Sequence, residues 1–321
     1  MDADLDTLVI ALYVQVDDIL KANPDRVPWR PAVGITPRIT DAEVVTLAVA
    51  QALLGFTSEA RWLRFGRAHL QQLFPYLPAQ SGYNKRLRKL GGTLSWLIRA
   101  LGTQTSLFSD DVWLADSTPV ECGRSRETAT GSDLVDFAEY GYCASHSRYF
   151  WGLRLHLISA RRGLPTAAAV TGAKADERQV LLDLLDDAAL TRQIAGTTLI
   201  ADKNYYGRDF ETTLAATGLR LLRPTRKGEP TRSGEQFFKP LRQTVESVFD
   251  TLKGQLDLER HGGRTPAGVL TRIWQRVLAV SARTRRRPIR RDLQQIIDTH
   301  VKCSRESVQV SVHLSSCSTL G

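Results

Sequence analysis

Cysteine is scarce in this chain. Four occur in 321 residues, Cys122, Cys143, Cys303 and Cys317, far apart and with no CxxC pair. Their spacing supports neither a zinc site nor a disulfide framework. Long apolar runs are also missing, and no stretch approaches the roughly 18 uncharged residues of a membrane-spanning helix. The start, Met1-Asp2-Ala3-Asp4-Leu5-Asp6, is acidic, the reverse of a secretory signal, so the chain reads as soluble and cytoplasmic. There is no internal repeat. With 42% hydrophobic and 24% charged residues, the composition is globular and excludes a disordered or collagen-like chain. The length suggests about two domains.

What the sequence has in excess is positive charge. Forty-three Lys and Arg stand against 34 Asp and Glu, a formal charge of +9. Such an excess suits a polyanionic partner, most simply nucleic acid, although it also serves solubility.

The first hundred residues read as helical. Thr40 and Glu43 have the spacing of a capping box, and Val44 to Leu54 is apolar nearly all round, a buried helix. A second helix spans Thr57 to Phe74. A third runs from Ser81 to Leu101 with its apolar stripe on Tyr83, Leu87, Leu90, Leu94, Leu97 and Leu101, bent at Gly91-Gly92. Its first turns carry Lys85, Arg86, Arg88 and Lys89. Three helices with a basic third resemble a helix-turn-helix module; the same charges also suit the solvated face of a bundle helix.

From Asp111 the pattern turns to short strands. Val112 to Ala115 is an apolar run ending on Asp116. Tyr149 to Ile158 and Thr166 to Val170 flank a turn and read as a hairpin. Thr197 to Ala201 is a buried strand ending on Asp202, and Leu219 to Pro224 is another. Helices occupy Asp176 to Ala189 and Leu241 to Leu256. This mixture predicts an α/β domain.

Two strands that each finish on an aspartate place both carboxylates beside the crevice where α/β proteins bind ligands, whereas one alone reads as a turn former. On the late helix, Arg242, Glu246 and Lys253 fall within about 40° of one another at helical spacing. Alone, Arg242 and Glu246 are an ordinary i,i+4 ion pair. Taken together, Asp116, Asp202 and Glu246 would repel one another unless a divalent cation intervened. The all-oxygen set suits Mg²⁺ or Mn²⁺, and two such ions about 4 Å apart serve phosphodiester displacement. Arg242 and Lys253 would hold phosphates, and Lys203 has that use or a solvated one.

The sequence resembles a DDE transposase of the insertion-sequence type, in particular the IS982 family within the IS4/IS5-like group. The matching stretches are Asp116-Ser117-Thr118-Pro119-Val120, Gly141-Tyr142 through Trp151-Gly152-Leu153-Arg154-Leu155-His156, Ala201-Asp202-Lys203-Asn204-Tyr205, and Arg242-x3-Glu246-x6-Lys253. Asp116 to Asp202 spans 86 residues and Asp202 to Glu246 spans 44, room for a core without a large insertion. Asn204, where relatives often carry Gly, and Lys239, where many carry Tyr, depart from the pattern.

The resemblance implies an RNase H-like catalytic domain at 109–280 after a helical DNA-end-binding region at 1–108. Asp116, Asp202 and Glu246 would be the catalytic metal ligands. The activity implied is cutting at transposon ends and transfer of the 3′-OH to target DNA. Its partners would be the terminal inverted repeats and target DNA, and its assembly a homodimer or larger on paired ends. In a bacterial cell it would lie on the nucleoid. Residues 281–321 are basic, then polar, and read as a disordered or frame-shifted tail. Two other readings remain open: a non-catalytic DNA-binding remnant and a simple metal-dependent nuclease. His156 reads as a core histidine, His261-Gly262-Gly263 as a turn, and Tyr205 and Tyr206 as loop or DNA-contact residues.

Overall fold

The computed structural model describes residues 3–30, 33–34, 36–104, 111–123, 126–143, 147–186, 196–230 and 238–285. It forms two compact units, one ending at Lys89 and one spanning Leu90–Arg285. Residues 286–321, which hold most of the basic and polar tail, lie outside the described residues.

The first unit is helical: α1 (Ala3–Ala22), α2 (Asp41–Leu53), α3 (Glu59–His69) and α4 (Gln80–Lys89). The capping box forms as expected. Thr40 Oγ1 accepts the Glu43 N–H at 3.1 Å, and Glu43 returns a bond to the Thr40 N–H at 2.6 Å. Nearly every residue of α2 is buried, as its all-round apolar pattern requires. Three polar anchors hold α4. Tyr83 donates to Gln51 at 3.2 Å, Asn84 donates to the buried Glu59, and Arg86 meets both Asp41 and the Ile39 carbonyl. Residues 70–79 separate α3 from α4, where a helix-turn-helix has a turn of about three or four residues.

The helix expected from Ser81 to Leu101 is two helices, because the chain breaks at Leu90 and restarts as α5 (Gly91–Thr103). This second piece belongs to the other unit and packs on β4 (Pro165–Gly172). Gly102 permits the contact: a Cβ there would lie 2.9 Å from the Thr166 Cα.

The second unit is built on a six-stranded mixed sheet. Its strands are β1 (Val112–Gly123), β2 (Glu139–Cys143), β3 (Arg148–Ala160), β4, β5 (Thr198–Ile200) and β6 (Arg220–Leu222). Strand β3 pairs antiparallel with β1 on one side and with β2 and β4 on the other; β5 lies parallel to β1, and β6 parallel to β5. An antiparallel β4-β3-β1 meander continued by parallel β5 and β6 is the RNase H-like arrangement. The short α6 (Arg126–Thr130) and β2 had no periodic signal in the sequence.

Alternation along β1 sorts the core into two faces. Trp113 and Ala115 pack with Leu181, Leu185, Phe210 and Leu214 from α7 (Glu177–Leu185) and α8 (Arg208–Ala216). Leu114 and Ile200 point the other way, onto Val245 of α9 (Phe238–Asp250). The last helix among the described residues, α10 (Pro266–Arg285), packs on α5 and keeps Ser281 and Ala282 buried. It therefore runs past residue 280, where the arginine-rich composition had suggested a boundary.

Gly152 sits on β3 opposite a bulge in β1 between Glu121 and Gly123. A Cβ at this position would lie 2.2 Å from the Val120 carbonyl oxygen, so only glycine lets the strands meet there. Gly152→Ala should destabilise the protein by about 1–3 kcal/mol. Urea unfolding measures this, and an unchanged midpoint would contradict the close approach.

Candidate active site

The registers of β1 and β5 align the two aspartates. Val112 lies beside Thr198, Trp113 beside Leu199 and Leu114 beside Ile200; two residues further along each chain come Asp116 and Asp202. The sequence suggested that β1 ends at Asp116. Instead β1 continues to Gly123, and what ends near Asp116 is its pairing with β5. Asp116 thus faces the crevice beyond the carboxyl end of β5 while antiparallel pairing with β3 still holds its backbone.

Asp116 is half-buried, and loss of solvent around its carboxyl is the main reason its pKa is pushed up to about 7. The Ser117 N–H, donating at 2.8 Å, opposes that shift. The negative charges of Glu177 and Asp202 add to it, and Arg242 partly offsets them. Asp202 is half-buried, accepts the Lys203 backbone N–H, and has Asn204 Nδ2 at 3.5 Å. Beneath this turn, Tyr205 is buried in the core beside Phe210. Burial, followed by the charges of Glu177 and Asp116, raises its phenol well above the usual range.

Helix α9 brings Arg242 into the field of Asp116, but Glu246 stands exposed and accepts from Arg242 Nε at 2.8 Å. The ordinary i,i+4 pair is therefore what the structure contains. Lys253 lies beyond the regular helix. After Asp250 the helix widens into a π turn over Thr251–Gln255, closed by the Leu256 N–H on the Thr251 carbonyl at 3.0 Å. That i→i+5 turn makes the angular step from Glu246 to Lys253 differ from that of a regular helix.

A carboxylate that the sequence reading missed is Glu177, the first residue of α7. It accepts from Ser117 Oγ at 3.0 Å and pairs with Arg154 of β3, which itself donates to Ser117 at 3.0 Å. The charges of Glu177 and Asp202 both raise the pKa of Asp116. The available signal was the motif itself: Ser117 and Arg154 both lie in stretches that matched the family pattern.

Among the described residues no three His, Cys, Asp or Glu side chains converge on one point. The Asp116 and Asp202 pair nevertheless suits a divalent cation. Both donors are hard oxygens, one is held near neutrality by burial and like charge, and a cation would relieve that repulsion. As it stands, Glu246 is not part of this donor set.

The remaining candidates have plain placements. Lys203, Lys85, Arg88 and Lys89 are exposed, whereas Arg86 holds the start of α2. His156 is buried with Nε2 2.9 Å from Thr171 Oγ1, and burial lowers its pKa to about 4. His261 is buried too: its Nδ1 accepts the Gly263 N–H at 3.1 Å and its Nε2 lies 3.3 Å from the Glu121 carbonyl. These partners fix a neutral imidazole that ties the segment after α9 to β1, a structural use for the histidine-glycine turn.

The family model described as "Transposase DDE domain" matches residues 108–281, more than half of the chain. This protein belongs to the DDE transposase family. The chain is similar to two solved transposase structures at low identity. A piggyBac transposase synaptic complex with hairpin DNA shares 8% identity with a TM-score of 0.38, covering 92% of this chain and 82% of that one. A pre-cleavage Mos1 transpososome shares 13% at a TM-score of 0.24, covering 83% and 85%. No curated protein sequence matches significantly.

Two carboxylates of this DDE domain should separate cleanly in stability measurements. Glu246→Gln removes only an exposed helix pair and should shift unfolding by no more than about 0.5 kcal/mol. Glu177→Ala strips Arg154 and Ser117 of a shared partner and should cost about 1.5–3 kcal/mol. Chemical denaturation of both variants measures the difference, and the opposite ranking would contradict these placements.

Proposed function

We propose that this DDE domain cuts DNA at the ends of an insertion sequence of the IS982 type and joins the freed strand to target DNA. The observation that carries this reading is the alignment of Asp116 with Asp202 at the end of the β1–β5 pairing, in a crevice that already strains one carboxylate toward neutrality.

Asp116 and Asp202 would hold Mg²⁺ or Mn²⁺, with Glu246 as the third carboxylate once it leaves Arg242. Bound there, the metal would supply Lewis-acid polarisation of the scissile phosphate and a more acidic water. The chain's own groups do the rest. Arg242, freed from Glu246, would pair with a phosphate oxygen, and Lys203 and Lys253 would hold flanking phosphates. In the first displacement a water oxygen bonds to phosphorus, the bond to the 3′ oxygen breaks, and that oxygen leaves as a 3′-OH. In the second, the 3′-OH attacks a target phosphate and displaces the target's own 3′ oxygen. No protein nucleophile is required, in agreement with the burial of Tyr205 inside the core.

Glu177 belongs to the support of this site. Its carboxylate is engaged by Ser117 and Arg154, which fix the backbone next to Asp116. Lys85, Arg88 and Lys89 on α4 offer a basic face for the terminal repeats, and two copies would act on paired ends.

Labelled DNA spanning the ends of the encoding element, incubated with Mn²⁺ or Mg²⁺, tests this directly. The wild-type protein should cut at the element boundary and yield joined products, and Glu246→Gln should abolish both while leaving the fold intact. Cutting without joining would replace transposition with simple nuclease action. Binding without cutting, equal in both proteins, would favour a non-catalytic remnant.

A further inference from the structure

Beside the aspartate crevice lies a loop whose construction serves nothing described so far. Strand β6 ends at Leu222, and the next residue, Arg223, is almost completely buried, with 2% of its side chain exposed. Its guanidinium donates to two carboxylates and, through Nη1, to the Pro224 carbonyl at 3.2 Å. Glu211 of α8 accepts from Nε at 3.0 Å and Nη2 at 2.8 Å. Glu229 accepts from Nη1 and Nη2, each at 2.8 Å. Glu229 also takes the backbone N–H of Arg226 at 3.0 Å, and its own N–H returns to the Arg226 carbonyl at 3.0 Å. The turn from Arg226 to Glu229 is thereby locked to the sheet by a buried arginine held between two half-buried carboxylates. Burying a guanidinium is costly unless it is paired, and here Glu211 and Glu229, both half-buried, supply the pairing that fixes its geometry.

What the locked turn presents is the Arg226 side chain. Its guanidinium lies 3.4 Å from the ring centroid of Tyr206, four residues after Asp202. A guanidinium stacked by its face keeps its in-plane N–H donors free, in the fork geometry that matches a phosphate. No carboxylate among the described residues pairs with Arg226. The neighbouring Arg178 differs: it also approaches Tyr206, at 5.7 Å, but Asp176 holds it through two bonds at 2.9 and 2.6 Å. One cation of the cluster is thus internally neutralised and one is kept available. Lys227 and Lys203, both exposed, stand on the same two loops. Both loops leave the carboxyl ends of parallel strands, the side of the sheet on which Asp116 and Asp202 lie.

We propose that Arg226, stacked on Tyr206 and fixed by the Arg223–Glu211–Glu229 clamp, is a phosphate-binding residue for a DNA strand running past the aspartate crevice. This rests on the reading of the protein as acting on DNA. Arg226 supplies the contact, and Arg223 is a positioning residue that acts through it. The contact is to the sugar–phosphate backbone and carries no sequence preference.

Fluorescence anisotropy with a labelled duplex of arbitrary sequence, measured across a salt series, tests the inference without any cleavage. Arg226→Ala should weaken binding about tenfold and lower the slope of log affinity against log salt by about 0.9, one phosphate's worth. Arg226→Lys should keep the slope, because the charge remains, and bind more weakly than wild type, because the fork is lost. Tyr206→Phe, which retains the stacking ring, should bind as wild type does. Wild-type affinity and slope in Arg226→Ala would overturn the inference and leave the transposase reading untouched. Failure of the wild-type protein itself to bind the duplex would overturn both. Thermal melting of each variant guards against misfolding, and an Arg226→Lys protein that melts normally but loses the slope would contradict the charge-based account.

Discussion

The parallel pairing of β1 with β5 is the constraint on which the candidate site depends. Three residue pairs, from Val112 with Thr198 to Leu114 with Ile200, set the register that puts Asp116 beside Asp202. A slip of one residue would turn every side chain of the shorter strand to the opposite face, removing Leu199 from the core it shares with Trp113. Burial of Trp113 and Leu199 on one face, and of Leu114 and Ile200 on the other, therefore fixes the carboxylates more firmly than any contact they make themselves. Because β5 is so short, β1 emerges past it with its backbone still paired to β3, and Asp116 opens onto the crevice from a rigid strand.

Charge around that crevice is arranged in pairs. Arg154 answers Glu177, Arg242 answers Glu246, and Arg223 answers Glu211 and Glu229. Asp116 is left with burial and like charge dominating its environment, tempered by one backbone N–H and the charge of Arg242. An imbalance of this kind is expected where a cation or a reacting group is to be received. The Arg242–Glu246 pair is the exposed and weakest of the set, so opening it costs little, and both partners then have work in the proposed chemistry.

Much of this was legible in the sequence, and the reasons are local. The capping box at Thr40 and Glu43, the all-round apolar α2, the β3–β4 hairpin and the two strands leading to Asp116 and Asp202 each have their own periodicity or turn chemistry. Other features do not. The break at Leu90 was masked because α4 and α5 continue one apolar stripe across it. The π turn at Thr251–Gln255 has no residue signature, so a regular helix was expected to continue through Lys253. Glu177 escaped notice because it is tied to Asp116 through Ser117 of β1 directly and through Arg154 of β3, long-range contacts that sequence spacing cannot convey. Arg223 read as part of an ordinary strand end, since nothing local distinguishes a buried arginine from an exposed one.

Direct titration with Mn²⁺, with the free ion followed by electron paramagnetic resonance, addresses the central claim that Asp116 and Asp202 form one cation-receiving site. The account predicts that wild-type protein takes up the ion and that Asp116→Asn and Asp202→Asn each lose that uptake while still folding. Equal uptake by wild type and both variants would contradict it and require a different role for the paired aspartates.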